Sequence, residues 1–121
     1  MNFENEKFII NNYLNIKSKD ENGNTYLHFL VIRGDVNIIK YFLNNLFNNG
    51  KIKSIINETN NNHETALFIA VNKGYQDIAK ELLNYGADKK IKNKDGVYVK
   101  FDYEMKGGGD INHIIYGSRK L

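Results

Sequence analysis

The apolar positions of this chain recur in two blocks that lie 40 residues apart. Residues 23–43 and residues 63–83 align without a gap and carry the same residue at seven positions. The identical pairs are Thr25 and Thr65, Leu27 and Leu67, Val31 and Val71, Gly34 and Gly74, Ile38 and Ile78, Lys40 and Lys80, and Leu43 and Leu83. An internal repeat of this length is typical of architectures in which similar units stack side by side.

Each block predicts two short helices joined at a glycine. Leu27, Leu30 and Val31 follow the spacing i, i+3, i+4 of one helix face. Thr25 precedes this face and can cap the helix, and Gly34 follows it and favours the left-handed conformation that ends a helix. The second helix has its own apolar face. Its positions are Ile38, Ile39, Phe42 and Leu43 in one block and Ile78, Ala79, Leu82 and Leu83 in the other.

Because each helix pair is apolar along one side, a single pair cannot bury that side, and the units must stack. Both units resemble the ankyrin repeat, whose pattern runs G-x-T-P-L-H-x-A-A-x-x-G, then a second helix, then G-A-D. Tyr26 and Ala66 stand in place of the proline of this pattern, and Phe68 stands in place of its histidine. The matching residues are Gly23, Thr25, Leu27, His28, Val31 and Gly34, then Thr65, Leu67, Ala70, Val71 and Gly74, and finally Gly86, Ala87 and Asp88.

The resemblance implies an all-α ankyrin-repeat solenoid of stacked helix-turn-helix units. We predict one domain over residues 1–121, with two full repeats between an N-terminal partial unit and a C-terminal degenerate capping unit. The parts are an N-terminal partial repeat over 1–19 with a helix over 4–15, a repeat with an insertion over 20–60, a repeat over 61–92 and a C-terminal cap over 93–121. In the cap we expect two helices joined at the glycine run 107–109.

The first full unit is seven residues longer than the family's period of about 33, and the extra residues fall between Asn44 and Asn62. A second helix that continues to Gly50, followed by an enlarged loop, accommodates them. Such loops project from a stack of repeats and contribute to binding. A solvated Asn-rich insertion that binds nothing is the alternative.

The chemistry-bearing residues form no catalytic or metal-binding pattern. The chain has no cysteine, and His28, His63 and His113 lack the spacing of metal ligands. His28 falls on the histidine of the ankyrin pattern, so the resemblance implies that it is structural and hydrogen-bonds between neighbouring loops. We therefore predict a protein that is not an enzyme and has no catalytic residue, no cofactor and no metal site.

The resemblance places the outer face of each first helix, together with the loop tips, on the concave side of the stack. Three positions of that face, at 29, 32 and 69, are apolar where the family often carries polar residues. Adjacent exposed apolar groups mark contact sites, and aromatic and Arg side chains anchor interfaces. Coverage of positions 29 and 32 by the N-terminal segment or the insertion is the alternative. The predicted partner-binding residues are Phe29, Ile32, Arg33, Ile69, Asn72 and Lys73 on the helices and Asn24, Glu64 and Lys94 on the rim, beside Asn22 and Asn62.

The sequence thus favours a non-catalytic module that binds an unidentified protein partner through its concave face and loop tips. Self-association through the same apolar patch is one alternative. Electrostatic binding of nucleic acid by the Lys89–Lys94 region is a weaker one, because the lysines there lack interleaved Arg and aromatic residues.

Two further features of the sequence predict the location of the chain in the cell. It has no apolar run long enough to span a membrane, and its acidic N-terminal segment does not resemble a secretory signal. We therefore expect a cytoplasmic protein. In composition and fold the chain also resembles small ankyrin proteins of large DNA viruses and host-associated bacteria. This resemblance implies the cytoplasm of a host cell as the alternative location.

Overall fold

The computed structural model describes residues 17–102 and 113–118, and within these ranges five helices precede a pair of strands. The elements are α1 (Tyr26–Arg33), α2 (Val36–Asn48), α3 (Ile52–Ile55), α4 (Ala66–Asn72), α5 (Gln76–Asn84), β1 (Val97–Asp102) and β2 (His113–Ser118). Helices α1 and α2 form one repeat, and α4 and α5 form the next. The helix predicted over 4–15 lies outside the described residues.

The first helix of each repeat begins at a threonine, as predicted. The Thr25 hydroxyl oxygen accepts a hydrogen bond from the backbone N–H of His28, and the Thr65 hydroxyl oxygen accepts one from the N–H of Phe68 at 3.0 Å. Each of these N–H groups belongs to the first helical turn and has no partner within the helix. The threonines therefore supply the caps that the sequence pattern indicates.

The apolar helix faces form one continuous core. Helix α1 packs against α2 and α4, and α5 packs against α4 and α2, so that like helices of the two repeats lie side by side. This contact pattern confirms the predicted stacking. The predicted core positions that are buried are Leu27, Leu30, Val31, Ile38, Ile39, Phe42, Leu43, Leu67, Ala70, Val71, Ile78, Ala79 and Leu82.

The extra residues of the first repeat extend the core. Helix α2 continues to Asn48, close to the predicted end at Gly50. The loop that follows contains the short helix α3. Only 1% of the surface of Ile55 and 3% of the surface of Ile56 is exposed to solvent. Leu46 at the end of α2 is buried with them. The insertion is therefore not wholly solvated, because these three residues belong to the core, and its contribution to binding stays a prediction.

The C-terminal unit differs from the two cap helices that were predicted. Strands β1 and β2 pair antiparallel, with Val97 opposite Ser118 and Asp102 opposite His113, and both strands contact α4. Tyr98 stands where the earlier units have their capping threonine, so a helix start is missing here. The segment 97–102 instead alternates apolar residues at 97, 99 and 101, which favours a strand. The stack of repeats therefore ends in a two-stranded sheet, and the glycine run 107–109 lies outside the described residues.

Candidate functional site

Three loops along one edge of the stack share the same hydrogen-bond pattern. The side-chain oxygen of Asp20 accepts from the backbone N–H groups of residues 22 and 24. Asn60 accepts from residues 62 and 64, and Asn93 accepts from residues 95 and 97. The third loop therefore repeats the first two, although a strand follows it.

Neighbouring loops are joined through their main chains. The N–H of Asn61 donates to the backbone oxygen of Asn22 at 3.0 Å, and the N–H of Lys94 donates to that of Asn62 at 3.1 Å. Asn61 also donates from its side chain to the backbone oxygen of Glu21 at 3.0 Å. These bonds fix the three loops as one rim of the concave side.

The middle loop departs from its neighbours in its backbone. Gly23 and Gly96 have φ angles of 77° and 75°, and His63 has a φ of 59° at the equivalent position. A side chain in this left-handed region costs about 1–2 kcal/mol relative to the right-handed one. The exposed tip of the middle loop is therefore strained where the other two loops are relaxed.

His28 connects α1 to the middle loop. Its Nε2 donates to the backbone oxygen of Glu64 at 2.8 Å, and its Nδ1 accepts from the backbone N–H of Thr25 at 3.1 Å. Burial lowers the pKa of His28 below its ordinary value of 6.5, and the hydrogen bond to Glu64 opposes this shift. The geometry agrees with the role in bonding between loops that the resemblance implies for this histidine.

The concave side carries a groove of about 420 Å³ between the first helices and the loops. Its ten lining residues include six asparagines and only two charged side chains, Glu64 and Lys73, so that the groove has no net charge. The groove brings together six of the nine predicted partner-binding residues. These are Asn24, Ile32, Glu64, Ile69, Asn72 and Lys73.

The other three predicted residues lie outside this groove. Phe29 lines a neighbouring depression of about 380 Å³ and stacks on Tyr26, with ring centroids 6.0 Å apart. The Arg33 guanidinium lies 5.7 Å from the centroid of the Phe29 ring and 3.8 Å from the Asp35 carboxylate. Lys94 is exposed on the third loop. The predicted set therefore divides among a groove, an aromatic patch beside it and the third loop.

The three apolar residues of the predicted site differ in how much of their surface is exposed. Phe29 and Ile32 are 44% and 41% exposed, as expected, but Ile69 is only 8% exposed. The expectation that Ile69 is an exposed contact is therefore wrong. Helix α4, which carries it, packs against α1 and against both strands, and residues 66–71 are all buried.

Sequence reasoning missed Asn60 and Asn61, which also line the groove. Asn60 is 9% exposed, and its side chain bonds to both the first and the middle loop. The signal that could have found it is the recurrence of a short side-chain acceptor at Asp20, Asn60 and Asn93, which matches the spacing of the units.

The chemistry of the groove suits binding by hydrogen bonds and apolar contact. It offers amide groups, one carboxylate and one ammonium group around the exposed side chain of Ile32. Across residues 17–102 and 113–118, no cluster of three His, Cys, Asp or Glu side chains could hold a metal ion. No helix in that part of the chain is long and apolar enough to cross a membrane.

Comparison with known families decides the identity of the repeat. Residues 2–93 match the family model of ankyrin repeats as three copies. The chain belongs to the ankyrin-repeat family. Ankyrin repeats are generally modules for protein–protein interaction and are typically non-catalytic. The predicted fold is therefore confirmed, whereas the predicted limits of the individual repeats remain predictions.

Two relatives show how far the similarity extends. An ankyrin repeat-containing protein of Arabidopsis thaliana, ITN1, is 34% identical over 61% of this chain and 15% of its own length. A chain in the solved complex of a predatory endopeptidase from Bdellovibrio bacteriovorus with an immunity protein is 29% identical, with a TM-score of 0.57. That match covers 70% of this chain and 40% of the other. The ankyrin chain thus spans less than half the length of either relative.

Proposed function

We propose that this ankyrin chain binds a protein partner through its concave groove and the loop rim, without catalysis and in the cytoplasm. The observation that carries the proposal is the groove itself, in which Ile32 is exposed between the loops and the first helices. An apolar centre with a polar rim is the usual composition of a protein interface. The complex formed by the Bdellovibrio relative supports a partner of this class.

The aromatic patch beside the groove extends this surface. Phe29 contacts both the Tyr26 ring and the Arg33 guanidinium. Because aromatic and Arg side chains carry much of the binding energy in protein interfaces, we include Phe29 and Arg33 in the contact area. The aromatic ring is ordered by its neighbours before any partner arrives, which reduces the entropy lost on binding.

Affinity capture from extracts of the producing cells, with a tagged chain, tests the proposal. The double variant Phe29→Glu/Ile32→Glu places two charges on the contact surface and should lose the captured partner. Phe47→Glu is the matched control, because Phe47 is 52% exposed on α2 and does not line the groove. Equal recovery of the partner by all three folded proteins would remove the concave face as the binding site.

A further inference from the structure

Two asparagines of the chain are followed directly by a glycine. They are Asn22, on the loop rim of the groove, and Asn49, at the end of α2. Asparagine is one of the chemically labile residues of proteins. It is most labile before a glycine, because glycine has no side chain to shield its backbone nitrogen. The two pairs have the same chemistry, so their surroundings decide which of them reacts.

The reaction is an attack of the main chain on its own side chain. The backbone nitrogen of the glycine bonds to Cγ of the asparagine, the Cγ–Nδ2 bond breaks, and ammonia leaves with the proton of that nitrogen. Water then opens the cyclic imide and leaves an aspartate, or an isoaspartate in which the main chain runs through the former side chain. The peptide group between the two residues must rotate before its nitrogen reaches Cγ. Hydrogen bonds to that peptide group therefore oppose the reaction.

The peptide group between Asn22 and Gly23 is held at both of its polar atoms. Its nitrogen donates to the backbone oxygen of Asp20 at 2.9 Å, and its oxygen accepts from the backbone N–H of Asn61 at 3.0 Å. Asn61 also lies against Gly23, which is buried, and donates from its side chain to the backbone oxygen of Glu21 at 3.0 Å. Rotation of this peptide group therefore requires the first loop to separate from the loop of the next repeat.

The peptide group between Asn49 and Gly50 is held at one atom only within the described part of the chain. Its nitrogen donates to the backbone oxygen of Phe47 at 3.1 Å, and its oxygen has no hydrogen-bond partner there. Gly50 is exposed, and no atom beyond its chain neighbours lies within 4 Å of where a Cβ would stand. The Asn49 amide donates to the backbone oxygen of Asn45 at 2.8 Å, but this bond is exposed at the end of a helix, where local opening costs little.

We propose that the folded chain modifies itself by deamidation at Asn49 and that the stacking of the loops protects Asn22. The protection comes from the main-chain bond donated by Asn61 and from the burial of Gly23. One hydrogen bond changes an opening equilibrium by about twofold to tenfold, and the burial adds to this effect. In the folded protein Asn49 should therefore react at least about tenfold faster than Asn22.

The modification changes the end of α2. The added carboxylate lowers the formal net charge of +3 by one unit. It no longer donates to the backbone oxygen of Asn45, and it lies at the negative end of the helix dipole. Because Leu46 in the same turn is buried, fraying of this turn also loosens the core. The modified chain should therefore unfold at a lower urea concentration.

Timed incubation of the chain at mildly alkaline pH, followed by cleavage with trypsin and mass spectrometry, tests the proposal. Cleavage after lysine and arginine places the two asparagines in separate peptides, 20–33 and 41–51, and fragment spectra locate the modified residue. In the folded chain the acidic form of peptide 41–51 should accumulate at least about tenfold faster than that of 20–33, and in urea the two rates should be similar.

Three results would overturn the proposal. The first is an equal rate at Asn22 and Asn49 in the folded chain. The second is no reaction at Asn49 in the folded chain over a time in which the unfolded chain reacts at both sites. The third is a difference that persists undiminished in urea, because the neighbouring sequence and not the fold would then cause it.

The variant Asn61→Ala tests the protection of Asn22. It removes the side-chain bond to Glu21 and should raise the rate at Asn22 by about twofold to tenfold, with Asn49 in the same molecule as the internal control. An unchanged rate at Asn22 would overturn protection by Asn61. If both sites accelerate equally, the variant has lost its fold, and the comparison of folded and unfolded wild type still decides.

The variant Asn49→Asp copies one product of the reaction and should lower the midpoint of urea unfolding. Asn37→Asp is the matched control, because it places the same charge in the first turn of α2, where the helix dipole favours it. A midpoint of Asn49→Asp equal to that of the wild type would overturn the predicted effect on α2.

Discussion

A Cβ atom on Gly23 would lie 2.7 Å from the backbone nitrogen of Asn61 in the next loop. Atoms at this distance overlap, so the loop-to-loop hydrogen bond from Asn61 to Asn22 requires a glycine at position 23. The equivalent residue of the middle loop is His63, which keeps the same left-handed backbone with a side chain. The loop rim of the groove thus has close backbone contact at one loop and backbone strain at the next.

Replacement of His63 by glycine should therefore stabilise the protein. His63→Gly removes the left-handed strain and makes the middle loop like the other two, and we expect the free energy of unfolding to rise by about 1 kcal/mol. Gly23→Ala should lower it by more than that, because it adds both strain and overlap with Asn61. Urea denaturation measures both changes. A lower stability of His63→Gly would show that the imidazole makes a contact that outweighs the strain.

His28 should make the stability depend on pH. Burial lowers the pKa of His28 in the folded state below 6.5, so the unfolded chain takes up the proton first as the pH falls. The contribution of neutral His28 is therefore complete above 6.5 and is lost as the pH falls through the folded pKa. His28→Phe, which copies Phe68 of the second repeat, should lack this component. Parallel pH profiles for the two proteins in urea denaturation would contradict the assignment.

Truncation of Leu67 tests the shared core of the repeats. Leu67 is fully buried, and Leu67→Ala should lower the free energy of unfolding by about 2–5 kcal/mol. Ile32→Ala is a suitable control, because Ile32 is 41% exposed and its loss should cost less than about 1 kcal/mol. Thermal melting followed by circular dichroism gives both values. An unchanged midpoint for Leu67→Ala would contradict the stacking of α1 and α4.

A groove that is open to another protein is expected on a monomer. Light scattering at increasing concentration should give a constant mass near 14.0 kDa. A mass that rises with concentration in the wild type, and that does not rise in Ile32→Glu, would favour self-association through the concave patch instead.

Local signals in the sequence were enough to predict the helical repeats. Thr25 and Thr65 cap the helices that the apolar spacing indicates, and His28 bonds to the next loop where the family pattern places it. The C-terminal unit could not be recognised in the same way, because the two helices expected there followed the pattern of the earlier units. Its residues 113–116 lie in β2, and the alternation in β1 carries the correct signal.

The site was less predictable than the fold, since it depends on contacts between loops that are distant in sequence. Ile69 lies on the helix face that is exposed in the ankyrin pattern. In this chain it is buried, and its helix α4 contacts both strands of the C-terminal sheet. Asn60 is one of three consecutive asparagines; its spacing from Asp20 and Asn93 indicates the turn that it forms, but only the structure shows its bonds to Asn24 and Glu64. A prediction from the sequence finds which residues share a face but not which side chains bond to each other.

Hydrogen–deuterium exchange of the chain, with and without the captured partner, tests the binding surface most directly. Binding in the groove should slow exchange at backbone amides of the first and middle loops and of the end of α4, around Asn24, Glu64 and Asn72. Slower exchange confined to the surface around Phe47 and Tyr85, with the loops unchanged, would contradict it.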